Sequence, residues 1–244
     1  MGSVAGLLWG VVFSSIGFGY FLYGKKQRSI SPLVFGVALM GFPYFAPMYI
    51  PGNRIVIHGC HPQLEESIRL QMQAPCFPVD YAQAGARIEF DLMTPDKPQY
   101  IAGINVTPKK QLHAGDSYGY RFESLERTVV YSTDSEHRLD DPAEHDEFVA
   151  FFAKADLVIF DAMYSLAEAV SVKADWGHSS NVVGVELCQA ASARRLVLFH
   201  HEPVHDDKQL ARLVAETRRL EQITRGSRAP LEIISAYDGL TIPL

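Results

Sequence analysis

The first 50 residues contain no acidic side chain, and their only charges are Lys25, Lys26 and Arg28. That stretch carries +3, so with −6 for the whole chain residues 51–244 carry −9. An acidic second part excludes a general nucleic-acid-binding surface, which needs clustered Lys and Arg to neutralise phosphate. A local basic patch stays compatible with it. Cysteine is scarce as well. Cys60, Cys76 and Cys188 are too few and too scattered for a disulfide framework or a Cys-based zinc knuckle, and they read as buried free thiols. No internal repeat or low-complexity linker is visible. A length of 244 residues then suits one sizeable core, or a small membrane part plus one domain.

The absence of charge at the start has a further consequence. From Val4 to Gly24 the chain runs 21 residues without a charged side chain, about the length of a membrane-crossing helix. Gly6, Gly10, Ser14, Gly17 and Gly19 would let a second helix approach closely. Lys25, Lys26, Gln27 and Arg28 form a basic turn, and a second apolar stretch, Leu33 to Ile50, follows. Pro43 and Pro47 interrupt that stretch, leaving a helix short for a span. The expectation is a transmembrane helical hairpin over residues 1–50, with membrane lipid as a partner and a bacterial inner membrane as the location. A cleaved signal peptide fits less well, because its positive charge would precede the apolar run. A buried helix of a soluble core is the plainer alternative. The positive-inside tendency puts the basic turn in the cytoplasm and both hairpin ends on the other side, at odds with a cytoplasmic enzyme domain.

After Pro51-Gly52-Asn53 the pattern becomes short β runs alternating with polar helices. Residues 54–58, 86–92, 119–123 and 128–132 read as strands, rich in β-branched and aromatic side chains. Residues 62–73 read as an amphipathic helix, with Leu64, Ile68 and Met72 spaced by four. Strands buried on both faces are expected at 156–160 and 195–199, around a helix at 181–191. A last helix starts near Asp206, whose carboxylate can cap it, with Leu210, Leu213 and Leu220 on one side. Strands followed by a β/α alternation define an α/β layered domain over residues 51–244.

Of nine histidines, several stand near acids at the ends of predicted strands, where layered α/β folds build their sites. His113 precedes GYRFE, Asp134 follows TVVYST, Asp161 follows ADLVIF, His178 lies in WGHSS, and His200 follows RLVLF. Three imidazoles and two carboxylates suit zinc or manganese, being borderline and hard donors. His137, His201 and His205 read as solvent-facing or supporting residues. Trp176 reads as a packing anchor ahead of a substrate platform.

The series LHAGDSYGYRFE, VVYSTDSEH, ADLVIFDAMY, WGHSS and RLVLFHHEPVHDD, in that order, resembles the second half of the metallo-β-lactamase superfamily, in particular its ribonuclease Z and phosphodiesterase-like branch. The similarity runs from about Gly41 to the C-terminus. It implies an αββα fold and a metal-dependent hydrolase acting on a small-molecule or nucleotide-type phosphodiester. By that resemblance His113 is a ligand of one metal, Asp134 bridges two metals, and His200 is a ligand of the other. His178 is the proton-handling or phosphate-facing residue and Asp161 orients it. Two ions would activate a bridging water and clamp the oxygen of the attacked group. The first 45 residues separately resemble a family of small bacterial two-helix membrane proteins, which implies location without chemistry.

The chain departs from the hydrolase pattern at one place. The family's His-x-His-x-Asp-His motif should lie immediately before GFPYFAPMYIPGNRI, and Leu33 to Met40, LVFGVALM, offer no donor. Three ligands are missing, whereas catalytic zinc usually keeps three from the protein. His58 and His61 of HGCHP are candidate replacements, against a capping or packing role. The fold class expected is an incomplete metallo-β-lactamase fold behind a hydrophobic hairpin. Loss of the first strands should open a sheet edge and a bare apolar face that either the hairpin or a second copy of the chain would cover. Two functions compete: a membrane-tethered hydrolase impaired by the missing motif, and a non-enzymatic membrane-anchored relic or binding protein.

Overall fold

The computed structural model describes residues 50–77, 80–137, 141–164 and 176–244, with scattered positions between 16 and 48. Most of the expected hairpin, and all of the donor-free stretch at 33–40, fall outside the described residues. Among the described residues no helix is long and apolar enough to cross a membrane.

The chain divides into two compact units, Met1–Leu92 and Met93–Leu244. The compositional break at residues 50/51 therefore falls inside the first unit. In that unit strand β1 (Arg54–Gly59) pairs in parallel with β2 (Arg87–Leu92), and helix α1 (Leu64–Gln71) lies between them in sequence. Leu64, Ile68 and Met72 are its half-buried stripe, as their spacing predicts. Register places His58 beside Asp91, and Nδ1 of His58 lies 2.8 Å from the Asp91 carboxylate. His61 accepts the Gln63 amide through Nδ1 at the entry to α1. Among the described residues neither histidine enters a group of three metal donors. Cys60 is buried as expected. Cys76 is exposed, contrary to expectation, because it lies on the solvated turn that follows α1.

The second unit is a seven-stranded sheet in the order β3 (Gln99–Ile101), β4 (Ile104–Gln111), β5 (Ser117–Glu123), β6 (Thr128–Ser132), β7 (Leu157–Asp161), β8 (Arg195–Phe199), β9 (Glu232–Ser235). The first four strands pair antiparallel; β6 to β9 are parallel. Helices α2 (Pro142–Phe152), α3 (Asn181–Ala190) and α4 (Asp207–Thr224) come between the parallel strands in sequence. Val130, Val158, Leu196 and Ile233 form one row across the sheet by register, and all four are buried with Phe148, Phe152, Val185 and Leu187 from the helices. Each buried side chain of this size is worth about 1.5–3 kcal/mol, so this layer holds the unit together.

Local signals explain the helix starts. Asp141 caps α2, accepting the amides of Ala143 and Glu144, with Pro142 in the first turn. Asp206 caps α4 in a reciprocal box: its carboxylate accepts the Gln209 amide, and the Gln209 side chain accepts the Asp206 amide. Asp206→Ala is expected to cost about 1 kcal/mol in urea unfolding, the usual worth of such a cap.

One ring in the core is not apolar. His137, expected to face solvent or to support the site, stacks on Phe160 with centroids 5.3 Å apart and meets the edge of Phe148 at 4.2 Å. Burial pushes its pKa down to about 3. The unfolded chain, with an ordinary imidazole near 6.5, takes up the proton first as pH falls. Stability is therefore fully present above about pH 6.5 and declines towards about pH 3, at roughly 1.4 kcal/mol per pH unit within that window. His137→Gln should flatten this part of the stability curve in urea melts between pH 6 and 4.

Candidate metal centre

The topology sets where donors can meet. Strand β4 is antiparallel to β5, and β5 to β6, so β4 runs in the same direction as β6, β7 and β8. The C-terminal ends of these four strands share one rim. His113 follows β4, Asp134 follows β6, Asp161 ends β7, and His200 follows β8. His178 comes to the same rim from the segment before α3. Backbone bonds tie these ends together: Glu136 N–H donates to Leu112 O, Ala162 N–H to Phe199 O, and Tyr164 N–H to Ser179 O.

Asp134 is the meeting point. Its Oδ1 lies 3.2 Å from Nε2 of His200 and 3.8 Å from Nε2 of His113. Both Asp134 and His200 have positive φ, 52° and 56°. Such backbone is uncommon outside glycine and collects at functional sites. Nδ1 of His113 donates to Ala114 O at 2.8 Å, which leaves a lone pair on Nε2 of the neutral ring. A donor atom of His178 lies within 4.8 Å of donor atoms of His113 and Asp134, and a second such group joins Asp161, His178 and His200. The His178 ring is 4.8 Å from that of His200 and 5.2 Å from that of His113, centroid to centroid.

Asp161 is fully buried and its oxygens are committed. Oδ2 accepts Nδ1–H of His178 at 2.8 Å and the Ser135 amide at 3.3 Å, and Oδ1 accepts the Met163 amide at 3.2 Å. Its hydrogen bond to His178 is the main reason that the imidazole pKa is raised, against the opposing effect of burial. Asp161 thus holds the ring with Nε2 turned to other partners, as a carboxylate does for a ligating or proton-transferring histidine.

Gly177 makes room for this arrangement. At φ +86° it occupies backbone that other residues rarely adopt, and a Cβ there would stand 2.6 Å from Cδ2 of His113. Its amide donates to the Glu136 carboxylate at 2.8 Å. Gly177→Ala is expected to displace His113, to lower stability by about 1–2 kcal/mol through strained backbone, and to weaken metal affinity. Thermal melts and metal titration check the two effects separately.

The chemistry of the donors suits a divalent ion. Nε2 of His113 and Nε2 of His200 each face Oδ1 of Asp134, and among the described residues Asp134 forms ion pairs only with these two imidazoles, while the compact group of three around Asp134 is His113, Asp134 and His178, with His200 in the group of Asp161 and His178. Three protein donors are what catalytic zinc ordinarily keeps. A second ion has no equivalent set among the described residues, because the other group depends on Asp161, whose oxygens already serve two amides and an imidazole. Trp176, expected to be a packing anchor, is 60% exposed beside Gly177. The segment 171–175 before it lies outside the described residues.

The beta-lactamase superfamily domain profile matches residues 47–201, more than half of the chain, and the chain belongs to that family. The match begins after the first 45 residues, so it lends nothing to their separate membrane-family resemblance. No curated protein matches the chain. Among solved structures it is similar to the metallo-beta-lactamase fold protein YhfI from Bacillus subtilis, at 19% identity and TM-score 0.55 over 77% of this chain and 64% of that one. It is also similar to unliganded yeast PDE1, at 14% and 0.59 over 84% and 63%. Human tRNase Z, short form, matches at 18% and 0.55 over 86% and 74%. These likenesses establish the metallo-beta-lactamase fold, and the chain spans less than two thirds of the first two proteins.

Proposed function

We propose that the chain is a metal-dependent hydrolase of phosphodiester type, held at a membrane and weakened by the missing motif. The observation that carries this reading is the convergence of two imidazole nitrogens on one carboxylate oxygen, Oδ1 of Asp134. His113, Asp134 and His200 would hold a zinc or manganese ion. A bound ion supplies an activated water and polarises the oxygen of the attacked group. His178 supplies the proton: Asp161 keeps Nδ1–H engaged and favours the charged ring, so Nε2 carries a second proton for a departing alkoxide. The same cation can meet an anionic phosphodiester.

The phosphodiester class rests on the sequence resemblance to the ribonuclease Z and phosphodiesterase-like branch. Membrane attachment rests on the 21-residue uncharged run at Val4 to Gly24. A second copy of the chain is the expected partner at an open edge of the sheet, of which β3 and β9 are the outer strands.

The full chain, purified in detergent, stripped with chelator and reloaded with zinc or manganese, tests the reading. About one retained ion per chain, with slow chelator-sensitive hydrolysis of bis(4-nitrophenyl) phosphate, is the expected result. No retained metal and no hydrolysis would overturn it in favour of the non-enzymatic, membrane-anchored alternative.

A further inference from the structure

The residues around Asp161 extend one layer deeper than the donor set. Ser135, next to Asp134, uses three polar groups at once. Its amide donates to Asp161, its carbonyl accepts the Ser179 hydroxyl at 2.7 Å, and its own hydroxyl lies 3.2 Å from Nε2 of His137. Ser179 is the residue after His178. One serine therefore fixes both the carboxylate that holds His178 and the backbone that carries it.

His137 is an unusual anchor for that serine. Phe148, Phe152 and Phe160 surround the ring, and Nδ1 is buried without a hydrogen-bond partner among the described residues. An unsatisfied buried nitrogen is costly, and a phenylalanine would fill an aromatic box without that cost. Among the described residues, the one polar contact that distinguishes histidine from phenylalanine here is the bond to Ser135. Desolvation keeps the ring neutral across the physiological range.

We infer that His137 is a positioning residue of the metal centre, which acts through Ser135 and Asp161 to hold His178 and the neighbouring Asp134 in place. The inference deepens the metal-site reading and rests on it only for the affinity measurement. Removing the anchor frees the Ser135 hydroxyl and loosens the Asp161 carboxylate at the amide it accepts from Ser135. Partners at this remove from a metal commonly change affinity by about 10–100-fold.

The test uses the full chain carrying His137→Phe, His137→Gln, Ser135→Ala, the double variant His137→Phe with Ser135→Ala, and Val185→Ala as a core control. The first readout needs no metal: the imidazole nitrogen and Nδ1–H resonances of His178 in the chelator-stripped protein. The second is zinc affinity by competition with a chelator. His137→Phe and Ser135→Ala should each shift or broaden the His178 Nδ1–H signal and weaken zinc binding by about 10-fold or more. The double variant should lose little beyond either single one, because both cut the same link. His137→Gln, whose amide can still bond the Ser135 hydroxyl, should restore most of the affinity. Val185→Ala should lower stability and leave both readouts unchanged.

Unchanged His178 resonances in His137→Phe and in Ser135→Ala would overturn the inference. Additive losses in the double variant, or equal losses in Val185→Ala, would also overturn it by showing a general loss of packing. If the parent chain retains no zinc, the metal-site reading fails, while the His178 resonances still decide the role of His137. Should His137→Phe not fold, Ser135→Ala carries the same two outcomes.

Discussion

Asp134→Ala is expected to abolish stoichiometric metal binding and any metal-dependent hydrolysis while leaving the fold intact. The side chain is partly exposed and stands on the loop after β6, so its loss removes no core contact. What it removes is, among the described residues, the only carboxylate oxygen that both His113 and His200 face. Two imidazoles alone are fewer protein donors than a catalytic zinc site keeps. Affinity should fall by at least the 100-fold that a lost supporting partner can produce. Stability of the metal-free variant should fall only modestly, because alanine tolerates the positive φ at this position less well than aspartate while the partly exposed carboxylate gives up no core contact. Metal analysis together with urea melts of the stripped protein separates the two effects. Equal metal content in Asp134→Ala and the parent would show that the ion lies elsewhere.

Asp161→Ala should behave in the opposite way, with a large cost in stability even without metal. The carboxylate is fully buried, and its removal leaves the amides of Ser135 and Met163 and Nδ1–H of His178 without their acceptor. Breaking one side of a buried pair typically costs about 3–5 kcal/mol, chiefly from the polar groups left behind. Urea unfolding of the stripped protein measures it. Asp161→Asn keeps an acceptor oxygen and should cost less, but it no longer favours the charged imidazole. The pKa of His178, now raised, should then move down, as read by NMR titration of the metal-free chain. A stability loss below about 1 kcal/mol in Asp161→Ala would remove Asp161 from its place as the organiser of this rim.

Much of the fold was legible because its signals are local. Strands β1, β2, β5, β6, β7 and β8 and helices α1, α3 and α4 lie within a few residues of their predicted bounds, and the Asp206 cap is where the sequence puts it. Strand β4, INVTPKKQ, was not legible. Its inward residues include Lys109, which pairs with Glu147, and Gln111, which bonds Ser132 and Thr133, so polar side chains occupy positions that ordinarily signal a strand by being apolar. Helix α2 carried a readable start in Asp141-Pro142, an N-cap followed by proline. Strand β9 is four residues long at a sheet edge, too short for a pattern.

The site shows the same division. Each of His113, Asp134, Asp161, His178 and His200 stands at an element end that the sequence marks, and the structure brings all five to one rim. The pairing of His178 with Asp161 was implied by the family resemblance, and the structure shows their hydrogen bond. The support beneath it was legible only as one of two readings of His137, solvent-facing or supporting: the ring packs against Phe148 and Phe152 of α2 and Phe160 of β7 and meets the Ser135 hydroxyl, contacts that no local signal marks. The exposed Trp176 carried no signal that separates a packed ring from a free one.

Anomalous diffraction from crystals of the zinc-loaded chain tests the central claim most directly. A single zinc peak between Nε2 of His113, Nε2 of His200 and the Asp134 carboxylate is the predicted result. No peak at that rim, or zinc held by side chains that exclude Asp134, would contradict it.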